Sequence, residues 1–461
     1  MNLSPLHFLS GIATLIIIIG IGIYSGKRVK SAADFSTGGK QAGSLLVMGV
    51  ITGTLVGGAS TIGTAQLAFS FGLSAWWFTL GAGTACLVLG LVFVKPLRAS
   101  GADTIQQIIA KEYGLTAGLV TAALGTLGML MNIISQLLSF NALAISLLPI
   151  DPIICAFIGM GFMLCYVVFG GILGAGVLGL VKLLLVYLSV IVCGVLALRL
   201  SGGYFVLHET LPQEKYFNIF ARGVGVDSGA GLSLLLGVLS TQTYIQAVLA
   251  GRTDAIARKG ALLSALIIPP VGAGGILIGQ YMYLTQPYLN PALAFPHFII
   301  EQLPPLLAGV VMATLLITVI GTGAGLALGF ATTLTNNIYL QFFNKQRSGA
   351  KTLTAMRLLI VFALAVAVLF TLGNLHSVIL AWGFLSMALR GAVLFIPMCA
   401  ALFLRKRVDK RYVIASSVLG LAAVIIGKFT ITSDIDPLFI GIGASALTVT
   451  LGLIVRRLEK S

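Results

Sequence analysis

Apolar runs of roughly 18 residues or more recur along almost the whole chain, each long enough to cross a hydrocarbon core of about 30 Å as a helix. No other feature restricts the fold as strongly. In hydrocarbon, every backbone N–H and C=O must be satisfied within the protein, so a chain of such runs folds as an all-α bundle of membrane-crossing helices. The composition agrees: 58% of the 461 residues are hydrophobic and 9% are charged, against about 25% charged in an ordinary soluble domain. A soluble enzyme is excluded.

The pattern places thirteen spans, at 6–25, 44–70, 75–94, 116–148, 152–170, 173–200, 231–250, 261–283, 305–336, 353–372, 377–404, 412–428 and 437–455. In a soluble chain the net charge of +15 would point to a nucleic-acid partner, but the basic residues do not form a patch. They cluster at 27–40, 95–111, 252–259, 345–357, 405–411 and 456–460, so that 22 of the 28 lie on one side of the membrane. By the positive-inside rule this side is cytoplasmic, which puts the N-terminus out and the C-terminus in. The charge sets topology, and the bilayer is the large partner it implies. The first run precedes the charges and no cleavage site follows it, so it is expected to remain as a helix.

The five cysteines lie in apolar segments without metal-ligand spacing, and the four histidines are scattered at or outside the membrane ends. Neither a disulfide framework nor a metal centre is indicated. No phosphate-binding loop or nucleophile with a base in reach is visible, so the chain is not read as an enzyme.

Two spans carry an interruption that hydropathy alone does not register. The second contains Gly53-Thr54-Leu55-Val56-Gly57-Gly58-Ala59-Ser60, and the seventh contains Gly237-Val238-Leu239-Ser240-Thr241-Gln242. Poor helix formers near mid-span allow two readings. They either mark broken helices at matching places in two halves of a transporter, where unwound backbone lines a cavity, or they are small residues that let helices pack closely.

Several stretches favour the first reading. They are Gly26-Lys27-Arg28 with Asp34-Phe35 and Gly38-Gly39; Ile62-Gly63 with Phe71-Gly72-Leu73-Ser74; Pro96-Leu97-Arg98 with Thr104 and Tyr113-Gly114; Gly170-Gly171; the run Gln242 to Ala250 with Ala257-Arg258 and Gly260; and the run Thr332 to Tyr339. Spread in order over residues 20–410, they resemble the sodium:solute symporter family, whose members carry sugars, proline, pantothenate and monocarboxylates. The resemblance implies a LeuT-type inverted repeat of five plus five helices, here 44–200 and 231–404. One extra helix (6–25) precedes it and two (412–455) follow. It also implies a multi-pass protein of a bacterial or archaeal plasma membrane, with sodium as the coupling ion.

By the same resemblance, sodium would be held by the carbonyls of Gly53, Val56 and Thr318, by Gly321 and by the hydroxyl of Thr322. The chain departs from the family at two of the relevant positions. Gly321 stands where members usually carry a second hydroxyl, and Gly179 where many carry an aspartate.

All thirteen acidic residues fall in loops or at membrane ends, but Lys182 and Arg390 lie near the middle of spans. A charge there costs at least about 2.5–3.5 kcal/mol and usually faces a cavity. Arg390 either forks onto an anionic substrate or caps the carbonyls of a broken helix. For Lys182 three readings are open. Its ammonium stands in for the sodium ion near Gly53 and Thr322, or the side chain snorkels to the interface, or it touches substrate. Further candidate contacts are Ser60, Thr241, Gln242, and Asn132 with Gln136, the last two spaced i, i+4 on one helix face. The set is sparsely polar and fits a small organic anion or amino-acid-like solute better than a sugar. The chain is therefore expected to be a secondary transporter coupled to sodium, or a sodium-independent carrier. The alternative is a non-transporting sensor or accessory subunit derived from one.

Overall fold

The computed structural model describes residues 4–26, 41–148, 150–343, 349–405, 407–430 and 435–459. The expected motifs at 27–40 lie outside them. The described residues are helical, and the single strand-like feature among them is an isolated parallel bridge between Ala42 and Gly251.

Along the chain run α1 (Pro5–Gly26), α2 (Ser44–Leu55), α3 (Thr64–Phe71), α4 (Trp77–Val88), α5 (Val94–Ala99), α6 (Ile105–Tyr113), α7 (Leu115–Leu147) and α8 (Pro152–Leu200). Short α9 (Tyr204–Thr210) and α10 (Gln213–Tyr216) precede α11 (Val224–Leu239), α12 (Gln242–Ala250) and α13 (Asp254–Thr285). The remainder are α14 (Ala294–Gln302), α15 (Pro305–Leu334), α16 (Gly349–Leu372), α17 (Ile379–Arg390), α18 (Lys410–Thr430) and α19 (Pro437–Leu458).

Among the described residues nine helices are long and apolar enough to cross a membrane, and the pair α11 and α12, bent by 49°, makes a tenth. Reaching the expected thirteen requires counting the shorter apolar helices Pro5–Ile18 and Pro152–Val167, and dividing the stretch Ala59–Ala99 at its turn. That turn is a 3-10 segment opening on Gly72, whose φ of +50° suits a residue without a side chain.

Helical backbone continues from Pro152 to Leu200, across the two spans expected at 152–170 and 173–200. It nevertheless doubles back. Tyr166 and Lys182 would stand about 24 Å apart on a straight helix. Yet Lys182 bonds Thr322, a Cβ on the adjacent Gly321 would lie 3.2 Å from the Tyr166 hydroxyl, and both side chains line one cavity. The side chains of 168–178, including the expected Gly170-Gly171 turn, lie outside the described set.

Helix α13 holds Pro269 and Pro270 in its interior, where each proline removes a backbone donor and frees a carbonyl. The carbonyls freed are those of Ala265 and Leu266, and side chains from neighbouring segments bond two others in the same stretch. The Tyr187 hydroxyl donates to Ile267 O, and Trp76 Nε1 donates to Pro269 O at 2.9 Å.

Helices α2 and α8 approach each other closely near the first break. A Cβ at Gly53 would lie 2.7 Å from the Gly179 Cα, and a Cβ at Gly179 would run into the Gly49 carbonyl. Side chains at these positions would push the helices apart. Gly179→Leu is expected to lower stability by about 1–3 kcal/mol, the range for overpacking. Gly179→Ala should cost less, and thermal unfolding of the detergent-purified protein checks both.

Candidate functional site

The first break begins where α2 stops. Val56 turns to extended backbone (φ −83°, ψ 92°), with its N–H still donating to Thr52 O at 2.8 Å. Helix resumes through a π-turn at Ala59–Gly63. The unwound step is closed by hydroxyls and an amide. Gly57 N–H donates to Ser60 Oγ at 2.9 Å, and the Ser60 and Thr61 hydroxyls donate to Gly57 O at 3.0 and 2.9 Å. From α7, Gln136 Oε1 accepts the Gly58 N–H at 2.8 Å, and its Nε2 donates to Asn132 Oδ1 at 3.1 Å. Glycine is needed here because a Cβ at Gly57 would sit 2.9 Å from both Gln136 Oε1 and Thr322 Oγ1.

Lys182 reaches this break from α8. Its Nζ donates to Gly53 O at 2.6 Å and to Thr322 Oγ1 at 2.8 Å, and the side chain is 5% exposed. The amine turns into the bundle, away from the interface to which a snorkelling lysine would extend. Beside it lies a cavity of about 50 Å³, bordered by Thr54, Tyr166, Gly179, Gly321 and Gly325, with room for a few waters. Val56 and Thr318 are buried within the same region, and the Thr318 hydroxyl is taken by Thr314 O at 2.6 Å.

The two departures from the family have local reasons. At Gly321 a side chain would approach Tyr166, so the tyrosine fills the space of the missing hydroxyl. At Gly179 no side chain fits against Gly49. Nothing in the sequence near Gly321 marks Tyr166, because they lie on different helices far apart in the chain.

The second break falls at Ser240 and Thr241, between α11 and α12. The Thr241 hydroxyl donates to Gly237 O at 2.6 Å and accepts from Arg390 Nη1 at 2.6 Å. Arg390 is fully buried. Its remaining donors go to Ser386 O (3.1 Å), Ser386 Oγ (2.6 Å) and Met387 Sδ (3.3 Å). Three ion pairs occur among the described residues, and neither Lys182 nor Arg390 belongs to one. Gln242 is occupied elsewhere: it donates to Asp103 O at 2.8 Å and accepts from Ile105 N at 3.0 Å, tying α12 to the start of α6.

Three helices run past both breaks. On α15, Thr322 adjoins Gly57 and Gly329 adjoins Thr243; on α17, Gly383 adjoins Ala59 and Met387 adjoins Gly237; on α7, Gln136 meets Gly58 and Gly128 packs on Arg390. The predicted residues thus form two clusters on one frame. Lys182, Gly53, Thr322, Gln136, Asn132 and Ser60 surround the first break, and Thr241 with Arg390 surrounds the second.

Comparisons with known proteins agree with this architecture. The sequence model of the sodium:solute symporter family matches residues 35–420. The chain is 27% identical over 216 residues to the uncharacterized symporter YwcA of Bacillus subtilis, a match covering 47% of this chain and 41% of that one. It is 24% identical over 280 residues to high-affinity choline transporter 1 of Caenorhabditis elegans, covering 57% and 48%. These matches span less than half the length of either relative. A longer one, 24% identical over 463 residues, covers 93% of this chain and 94% of the high-affinity proline transporter PutP of Bacillus subtilis. Among solved structures, the substrate-bound outward-open state of a Na+-coupled sialic acid symporter superposes with a TM-score of 0.80 at 16% identity, over 99% and 98% of the two chains. The inward-facing conformation of Mhp1 superposes at 0.59 and 16%, over 91% of each. With two interrupted helices on a shared frame and a family match over most of its length, this LeuT-fold chain belongs to the sodium:solute symporter family.

Proposed function

We infer that the chain is a secondary transporter moving a small organic solute by alternating access, with the Lys182 ammonium in the place of a coupling sodium ion. One observation carries the reading. Two of the oxygens that the family resemblance assigns to sodium, Gly53 O and Thr322 Oγ1, are the two that Lys182 Nζ contacts. A hard cation needs several oxygens. With those two taken and no hydroxyl at Gly321, the donor set does not suit sodium while the amine is protonated there.

Coupling then runs through the amine. A protonated Lys182 holds α2, α8 and α15 together at the break. Loss of the proton removes the charge and weakens both contacts, which frees α2 to move relative to α15. Transport is therefore proton-coupled, or uncoupled if the proton never leaves. Sodium-coupled symport is the second reading, favoured by the family membership itself. In either case the protein works in a plasma membrane.

The solute is a small carboxylate or amino-acid-like compound. Support comes from the sparse polar lining and from Arg390, where a carboxylate would compete with Thr241 for Nη1.

With a fixed proton gradient, uptake into proteoliposomes is expected to be equal in sodium and choline buffers within about twofold, and Lys182→Ala to lose at least tenfold. Strict sodium dependence of the wild type would overturn the substitution of lysine for sodium. Arg390→Gln removes charge-assisted bonds at the second break, each worth about 1.5–3 kcal/mol, and should lower the melting temperature. Arg390→Lys should recover little of it, because a point charge cannot reproduce the fork.

A further inference from the structure

A cavity of about 580 Å³ opens at the basic end of the bundle, between the α4–α5 segment and the first turns of α13. Lys95, Arg258 and Lys259 line it, and all three are exposed. Among the described residues none of them forms an ion pair. The one carboxylate in the lining, Asp254, is already engaged, since its Oδ1 accepts from Arg98 Nε at 2.6 Å. The cavity therefore presents three uncompensated cations.

Its walls are apolar and continue along the bundle away from the charges. On α13, Arg258, Leu262 and Leu266 are spaced by four and share one face, and Leu266 is 75% exposed. On the facing segment Leu87 and Leu91, 44% and 52% exposed, precede Lys95. Gly90 forms the floor, where a Cβ would sit 3.1 Å from Leu262. Cations at one end of a groove and exposed leucines along the rest match one kind of molecule, an anion attached to a hydrocarbon chain.

We propose that this groove is a binding site for an anionic phospholipid, its phosphate on Lys95, Arg258 and Lys259 and an acyl chain along Leu91, Leu262 and Leu266. Basic pockets between membrane helices on the cytoplasmic side suit such headgroups. The site also adjoins a mechanical element. Arg98, which holds Asp254, donates through Nη1 to the carbonyls of Val248 (3.0 Å), Leu249 (3.3 Å) and Gly251 (2.7 Å), at the end of the broken-helix half α12. A lipid phosphate beside this cluster would stabilise the arrangement that anchors α12.

The test is thermal unfolding of the purified full-length protein in neutral detergent, titrated with dioctanoyl phosphatidylglycerol, dioctanoyl phosphatidylcholine, glycerol phosphate or inorganic phosphate. Phosphatidylglycerol is expected to raise the melting temperature by a few degrees, and the other three to leave it unchanged. Lys95→Gln, Arg258→Gln and Lys259→Gln should each weaken the apparent affinity about fivefold, and the triple variant should lose the response. Lys410→Gln with Arg411→Gln, exposed on the same basic end, should keep it. The proposal is overturned if the wild type does not respond, if the triple variant responds as the wild type does, or if glycerol phosphate or inorganic phosphate alone reproduces the shift. None of these readouts depends on the coupling ion or on transport.

Discussion

A helix interrupted inside a bilayer leaves backbone groups that no water can satisfy, and most of this structure follows from how they are answered. At the interruptions the partners are side chains, some of them local hydroxyls and others from neighbouring elements. Gln136 takes the Gly58 N–H, Lys182 takes Gly53 O, and Trp76 and Tyr187 bond the Pro269 and Ile267 carbonyls beside the paired prolines of α13. At the second break Arg390 holds the Thr241 hydroxyl. Because these side chains come from the turn before α4 and from α7, α8 and α17, closing the backbone also fixes which elements lie together.

The same demand accounts for two buried cations without carboxylate partners. Moving an isolated charge into hydrocarbon is costly, but a ring of oriented oxygens recovers much of the lost hydration. Lys182 finds one carbonyl and one hydroxyl. Arg390 finds two hydroxyls, a carbonyl and a thioether sulfur. Pairing either with an acid would have neutralised it permanently. Holding it with neutral dipoles keeps the positive charge available at the centre of the bundle.

Both breaks were legible in the sequence as candidates, because glycine, serine and threonine at mid-span are poor helix formers; the same residues also suit close packing, and the family resemblance favoured the breaks. The lone cations were legible for a similarly local reason, standing out against apolar runs. What could not be read is what each group meets across space. Gln242 looked like a mid-membrane amide, yet it binds backbone at Asp103 and Ile105. The absence of a side chain at Gly321 read as a depleted site, whereas Tyr166 occupies the space. Gly179 read as a lost acid, and the contact with Gly49 that forbids any side chain there has no signature along the chain. The span count depends on where Ala59–Ala99 is divided and on the doubling back of α8, both of which are tertiary features.

The strand-like bridge next to α2 ties two half-helices together. Ala42 N–H donates to Ala250 O at 3.0 Å, and Arg252 N–H donates to Ala42 O at 3.1 Å. Two backbone bonds therefore weld the entry of one half-helix to the exit of the other, and Arg98 rivets the same corner. Moving one half without the other would break these bonds. The segment below Gly53 and the segment beyond Thr241 thus share one tether, like two blades on one handle.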